Sequence, residues 1–540
     1  MKYIDSQSSQ ALQSSCNHDF CRCGSFLVHF FLLLPLFTSL IVFKGIGNGI
    51  VPNNIFLIFG GIGFVCIASL IYLLLFRRSF HFSITDVFAI LFVGGVFVSA
   101  FVINDATVNT TKIVVLTLLL VLYLCVRLIT YNNQQIINYL CLFIILTGLI
   151  EAIWGMMQLY GFLESHHNLF KLTGSFFNPG PYSGYLAVVF PLSLFASISC
   201  ADNSWVFTKM KRIVAVATCI TILLVLPAGM SRASWLAFIV GSVVVLVGAR
   251  RRELFFGLTK RSQDNTPQRG ELSNKAMAKI FAVALGICLI IASLVGLYYL
   301  KKDSADGRLL MWKMATSAMI QHPLGVGLGH FPDAYGEAQA AYFASGNASE
   351  VEAFVAGNPE YGFNEFLQIG VESGIASLLL FIGMIICAYQ GLIKSKNWGV
   401  MGALTSLLVF ACFSYPFSVL PFLIVFVFLL AFAGDTQIKQ INTDKKSVII
   451  RSISVICVQV CCVIVTTFCL WKQCPVYDVY KQWKSKQMYY QMGMYQEVAQ
   501  SYESLYPYLN DQVNFLFEYG RSLSQSEQPE KSNEVLQHAT

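Results

Sequence analysis

Ser447-Val-Ile-Ile-Arg-Ser-Ile-Ser-Val-Ile-Cys-Val-Gln-Val-Cys-Cys-Val-Ile-Val-Thr-Thr-Phe-Cys-Leu470 carries a single charge and is long enough to cross a bilayer as one helix. Apolar runs of about 17 to 25 residues recur along the chain. Over its 540 residues, 56% are hydrophobic and 12% charged. A spanning backbone must satisfy its own hydrogen bonds, so these runs predict an all-α, polytopic integral membrane protein. About thirteen spans are expected, starting near residues 25, 55, 84, 112, 137, 183, 213, 233, 280, 366, 398, 416 and 448. The first run, Phe26 to Phe43, has no small-residue cleavage site and leads directly into another span, which predicts a retained helix and not a signal peptide. No internal repeat of transporter type is evident.

Lys and Arg set the orientation. With the N-terminal tail, residues 1–24, in the cytoplasm, Arg77-Arg78, Lys209 to Arg212, Arg250 to Arg252, Lys394 to Lys396 and Lys445-Lys446 all fall inside, as the positive-inside rule requires. That assignment sends residues 162–182, 229–234 and 301–373 to the outer face of the membrane, and the tail 471–540 with them. The net charge of +7 follows from this asymmetry and calls for no nucleic-acid partner. The expected organisation is a transmembrane domain over 25–470 with a large outer loop at 301–373, then a helical domain over 471–540.

Most of the 16 cysteines sit in apolar runs, where Cys behaves as a small hydrophobe. Cys16-Asn-His18-Asp-Phe-Cys21-Arg-Cys23 has soft-metal residue types without a standard zinc spacing, so no metal is expected there. In the tail, Tyr477 to Tyr506 predicts one helix and Gln512 to Leu523 another, with a third near Lys531. Small and aromatic residues at helix-pair spacing resemble a tetratricopeptide repeat, which implies a docking surface for a protein partner or a glycan. A hairpin that only packs on the membrane domain is the alternative.

Three outward elements carry candidate chemistry. Leu172-Thr-Gly174-Ser-Phe-Phe-Asn178-Pro179-Gly180-Pro-Tyr-Ser-Gly184 is a turn-rich loop feeding a span. Ala228-Gly-Met-Ser231-Arg232-Ala-Ser234-Trp235 puts a guanidinium at the mouth of a helix. Asp306-Gly-Arg308-Leu-Leu-Met-Trp312 opens the polar segment. Arginines near a membrane are costly unless paired, and their planar fork of donors suits phosphate oxygens. Arg232 and Arg308 therefore predict a clamp for a lipid diphosphate. Snorkelling, or pairing with Asp303 or Glu360, is the alternative for each. His322, in Gln321-His-Pro323, reads as a turn and packing residue rather than a catalyst, and His330 as packing or catalysis.

These motifs, in order, resemble the superfamily of O-antigen ligases, O-antigen polymerases and bacterial O-oligosaccharyltransferases. Gly174-Ser-Phe-Phe-Asn178 is similar to its Gly-x-Phe-x-Asn element, Ser231-Arg232 to its outer-helix arginine and Arg308 to Trp312 to its Arg-x-x-x-Trp helix. His322-Pro-Leu-Gly325-Val-Gly327 is similar to its His-Pro-x-x-Gly-x-Gly turn. Asn364-Glu365-Phe-Leu and Glu372-Ser-Gly374 are similar to its Asn-x-x-Leu and Glu-x-Gly helix start. The resemblance implies metal-independent transfer of a glycan from undecaprenyl diphosphate to an acceptor hydroxyl on the periplasmic side of the bacterial inner membrane, with inversion and no cofactor. The acceptor would be a glycan, lipid A-core or a protein. It also implies Arg232, Arg308, Asn178, His322 and Asn364 as substrate-binding residues. Where the family commonly has a histidine before the Asn, this chain has Phe363: either Glu365 or His330 serves as the base, or the chain belongs to a branch that lacks the base or has lost activity. A polysaccharide polymerase, or a non-catalytic export or assembly protein, is the other reading; an export path needs charges inside several spans, and Glu151 is the main one seen.

Overall fold

The computed structural model describes residues 30–39, 55–76, 82–103, 110–131, 133–167, 169–199, 206–261, 302–434, 445–510 and 512–537. The tail with Cys16, Cys21 and Cys23 and the span expected near residue 280 lie outside these. Among the described residues there is no strand, and the chain is an all-α polytopic membrane protein. Helices α1 (Ile55–Phe76), α2 (Ile84–Val98), α3 (Thr110–Thr130), α4 (Gln134–Leu159), α5 (Pro179–Ile198), α6 (Val206–Val225) and α7 (Arg232–Arg261) form the first part of the bundle. The second part has α8 (Lys302–Gln321), α9 (Phe331–Ala344), α10 (Glu350–Val355), α11 (Glu365–Ser395), α12 (Trp398–Ala411), α13 (Leu420–Ala433) and α14 (Lys445–Gln491). Among the described residues eight helices are long and apolar enough to cross a membrane, and 58–73, 398–411 and 420–433 are shorter apolar ones.

The bundle core is α5, α7 and α12, which pack on one another. α7 and α12 cross where a side chain is missing: a Cβ at Gly241 would lie 2.8 Å from the Gly402 carbonyl oxygen, and one at Gly402 equally close to that of Gly241. Close backbone approach at small residues is what holds membrane helices together, since lipid is as apolar as leucine. Ser406 Oγ donates to the Ala187 carbonyl at 2.7 Å, tying α12 to α5. At the far end of α2 and α3, Asp86 and Arg127 are both fully buried, with Nε 3.3 Å from Oδ1. Tyr123 donates to the same carboxylate at 2.6 Å, and Ser83 N–H to its second oxygen at 2.6 Å. This pair adds to Glu151 as charge buried in the bundle.

The polar segment expected as a loop over 301–373 is instead mostly helical. Leu310, Met314 and Ala318 on α8 meet Phe331, Ala334, Tyr335 and Ala338 on α9 in a separate apolar core. Their spacing of three and four is that of an amphipathic pair lying on the bundle. Lys313 Nζ sits 2.9 Å from Glu352 Oε1, joining α8 to α10, and this contact with the Ser349 cap holds the Glu352 carboxyl down at about 2.

α11 opens at Glu365, capped by Asn364, whose Oδ1 accepts from Phe366 and Leu367 N–H. It breaks at Gly374, where φ is +83. The carbonyls exposed by that break are taken by the glycine turn before α9: Val326 N–H donates to Val371 O at 3.0 Å and Gly327 N–H to Glu372 O at 2.9 Å. Ile375 N–H returns to Pro323 O at 2.9 Å. Gly325 (φ +90) faces the Gly374 nitrogen so closely that a Cβ would lie 2.6 Å from it. The His-Pro-x-x-Gly-x-Gly and Glu-x-Gly motifs are thus two halves of one joint.

The boundary drawn at 470/471 falls inside α14, which runs unbroken through Pro475. Its 47 residues make a rod of roughly 70 Å at 1.5 Å per residue. Beyond it α15 (Tyr495–Glu503), α16 (Tyr506–Leu509), α17 (Val513–Gln525) and α18 (Pro529–Gln537) fold back, burying Trp483, Tyr502 and Phe515 together. Glu518 accepts from Trp483 Nε1 at 2.8 Å and from Tyr502 OH at 2.9 Å.

Candidate active site

The loop between α4 and α5 is built by α4 side chains. Gln158 Oε1 accepts from Thr173 N–H at 2.9 Å and Gly174 N–H at 2.7 Å, while its Nε2 donates to Gly174 O at 3.2 Å. Glu151 Oε2 accepts from Ser175 N–H at 3.0 Å, and Gly174 (φ +55) packs against that carboxylate and Tyr182, leaving no room for a side chain. Glu151, the intramembrane acid seen in the sequence, therefore serves as a brace for this turn. The brace delivers Asn178 to the start of α5, where its Oδ1 accepts from Gly180 N–H at 2.8 Å.

A second turn meets this one. Leu226–Gly229 forms a short 3-10 helix, Met230 takes a left-handed conformation (φ 46), and α7 begins at Arg232. Gly229 packs on Ser183 without space for a Cβ, and Ser234 Oγ donates to Gly180 O at 3.5 Å. These contacts seat the first turns of α5 and α7 side by side. Arg308, from α8, completes the arrangement.

Together they line an open cleft of about 310 Å³ that includes Lys171, Asn178, Gly180, Ser231, Arg232 and Arg308. Leu159, Phe170, Leu172 and Met230 give it an apolar side, and among the described residues no carboxylate lines it. Two helix N-termini open here; in α5 Pro179 and Pro181 have no N–H and Gly180 N–H is taken by Asn178, so the partial positive charge of free N–H groups is that of α7. Burial and the neighbouring Arg232 charge hold the Arg308 guanidinium below its usual value, with Tyr415 acting the other way. It remains a cation, because a guanidinium does not deprotonate in proteins. Among the described residues Arg308 makes no hydrogen bond or ion pair, and Glu360, one partner considered from sequence, instead accepts from Tyr361 OH at 3.0 Å. The guanidinium lies over the Phe363 ring, 5.4 Å from its centroid. Phe363 sits edge-on to Tyr415 at 5.2 Å, and Tyr361 stacks on Tyr415 at 4.8 Å, so an aromatic shelf backs the arginine away from the cleft.

Of the residues singled out in the sequence, Asn178, Arg232 and Arg308 come together in the cleft. Asn364, His322, His330 and Glu365 do not line it. Asn364 is the α11 cap, and His322 Nε2 is 3.9 Å from Glu337 at an exposed position. His330 caps α9 and pairs through Nδ1 with Asp333 Oδ2 at 2.8 Å. Glu365 is buried, and its Oε1 accepts from Phe417 N–H at 2.6 Å, so it anchors the turn carrying Tyr415. Lys171 and Tyr415 were not picked out from sequence. Lys171 stands one residue before the glycine-rich loop, where a lone lysine between apolar neighbours gives little signal.

Residues 217–382 match the family model described as O-Antigen ligase. The matched stretch holds Arg232, Arg308 and the joint at Gly325 and Gly374, and it supports a place in the O-antigen ligase superfamily. Comparison with curated proteins gives no match. The match supports, at a coarse level, a ligase-like glycan transfer by this membrane protein.

Proposed function

We propose that the protein transfers a glycan from undecaprenyl diphosphate to an acceptor hydroxyl at the periplasmic face of the bacterial inner membrane. The observation that carries this reading is the convergence of Arg232, Arg308 and the N-terminal turns of α5 and α7 on one cleft without a carboxylate. A diphosphate matches that field, and arginine forks match its oxygens. The apolar residues Leu159, Phe170 and Met230 on the same cleft suit the first isoprene units of a lipid donor.

Chain direction supports the orientation. The cleft joins the end of α4, the start of α5, the turn after α6 and the start of α7, while Lys209, Lys211, Arg212 and Lys394 lie toward the other ends of α6 and α11. Basic residues inside put the cleft outside. α13 then runs inward and α14 outward, which carries the C-terminal helices to the cleft side, where they are placed to meet a protein partner or a glycan.

The reaction proceeds by attack of the acceptor oxygen on the anomeric carbon opposite the diphosphate, with inversion. Fixed cations stabilise the leaving diphosphate without reorganising, and no metal enters this scheme. Phe363 offers no proton acceptor. Of the two candidates for a base, His330 has the better setting, because Asp333 fixes its Nδ1 as a base-orienting carboxylate would. Glu365 has one oxygen committed to a backbone N–H.

Lipid-linked glycan from a deletion strain tests the reading and distinguishes its forms. Ligase function predicts accumulation of full-length polymer on the lipid carrier, and polymerase function predicts single repeat units. An unchanged carrier pool would remove both.

A further inference from the structure

We propose that Lys171 is the third cation of the diphosphate site and acts mainly on the charge that develops as the glycan departs. The inference rests on the function proposed above and adds a residue outside the arginine pair. Lys171 lines the same cleft as Arg232 and Arg308 but comes from the α4–α5 loop, a separate wall. Its stem is fixed: Leu172 is 3% exposed, and the next two N–H groups are held by Gln158. Its ammonium is exposed and, among the described residues, makes no hydrogen bond or ion pair. Three cations and the α7 N-terminus share a cleft with no carboxylate among its described lining residues, an arrangement that favours an anion.

The charge count explains why a third cation is useful. A diphosphate esterified at both ends carries about two negative charges, one on each phosphate. In the transfer step the acceptor oxygen bonds to the anomeric carbon and the bond from that carbon to the diphosphate oxygen breaks. The electron pair stays on that oxygen, and the hydroxyl proton passes to the base of the function proposed above, His330. The new terminal phosphate has a second ionisation near 6, so at neutral pH it gains up to about one further charge. Arg232 and Arg308 match the bound donor; Lys171 matches the added charge. An interaction that strengthens only as the bond breaks raises kcat and leaves donor binding nearly unchanged.

The test uses the full chain in proteoliposomes with a lipid-diphosphate glycan donor. Lys171→Ala should lower kcat by about 10-fold to 100-fold, with KM for the donor within about threefold. Lys171→Arg should retain most activity, and Lys171→Glu should fall below the alanine variant. Undecaprenyl diphosphate, the product, should inhibit Lys171→Ala less strongly than the parent protein. Because the side chain is exposed, the thermal midpoint should not move. A normal kcat for Lys171→Ala beside an inactive Arg308→Ala would overturn the role of Lys171 and leave the site standing. A raised KM at unchanged kcat would make Lys171 an anchor for the donor and overturn the charge-development claim. Normal transfer by all of these variants would remove the diphosphate site itself.

Discussion

Arg308→Ala is the substitution whose size follows most directly from the geometry. The guanidinium faces the cleft without a protein hydrogen-bond partner among the described residues and rests on Phe363 at 5.4 Å. Removing it deletes a charge-assisted bidentate contact to an anion, which costs about 2 to 4 kcal/mol in a pre-organised site. At 1.36 kcal/mol per decade this is roughly a 30-fold to 1000-fold loss of transfer rate. Stability should hardly change. The lost cation–π contact is worth about 0.5 to 1 kcal/mol, and the repulsion from Arg232 disappears with it. Arg308→Lys keeps the charge but loses the fork and the flat face, so it should recover only part of the rate. Initial rates of glycan transfer, measured in membranes matched for protein content, separate these outcomes. A rate for Arg308→Ala within threefold of the parent, at equal protein, would refute the assignment of the cleft to the diphosphate.

Glu365→Gln should transfer at nearly the parent rate, since a side-chain oxygen still accepts from Phe417 N–H, whereas Glu365→Ala should lower the thermal midpoint; a large rate loss in the glutamine variant would make Glu365 a base. His330→Ala should lower kcat by about 100-fold if the His330–Asp333 pair takes the acceptor proton, and unchanged turnover would exclude it. Gly325→Ala puts a side chain where φ is +90 and the Gly374 nitrogen is 2.6 Å away, so it should destabilise the protein by on the order of 2 kcal/mol or more, read as a lower unfolding midpoint in detergent. Alkaline phosphatase joined after Gln537 should be active and within residues 262–275 silent; the reverse pattern would place the cleft in the cytoplasm.

Membrane class, helix positions and the arginine pair were legible because each rests on strong local chemistry. Long apolar runs have few alternatives, and an arginine beside a glycine turn at a helix start stands out. The polar segment after residue 301 misled, because α8 and α9 bury a narrow apolar stripe under a polar face and so lack the signature of a span. Asp86 and Arg127 were missed for the opposite reason: single charges vanish within apolar runs, and their pairing across α2 and α3 is visible only in three dimensions. The span expected to end at Leu470 continues as α14 through Pro475 to Gln491. Glu365 shows the limit of motif reasoning. Its neighbours fit a catalytic helix start, but its carboxylate is occupied by a backbone N–H from the turn before α13, 52 positions along the chain.

The most direct test of the central claim is glycan transfer by the purified protein in liposomes, from undecaprenyl-diphosphate glycan to an acceptor hydroxyl, compared with the Arg232→Ala/Arg308→Ala double variant. The account predicts glycosylated acceptor with inverted anomeric configuration, released undecaprenyl diphosphate, and no product above background from the double variant. Transfer that survives the loss of both arginines, or a product of retained configuration, would contradict it.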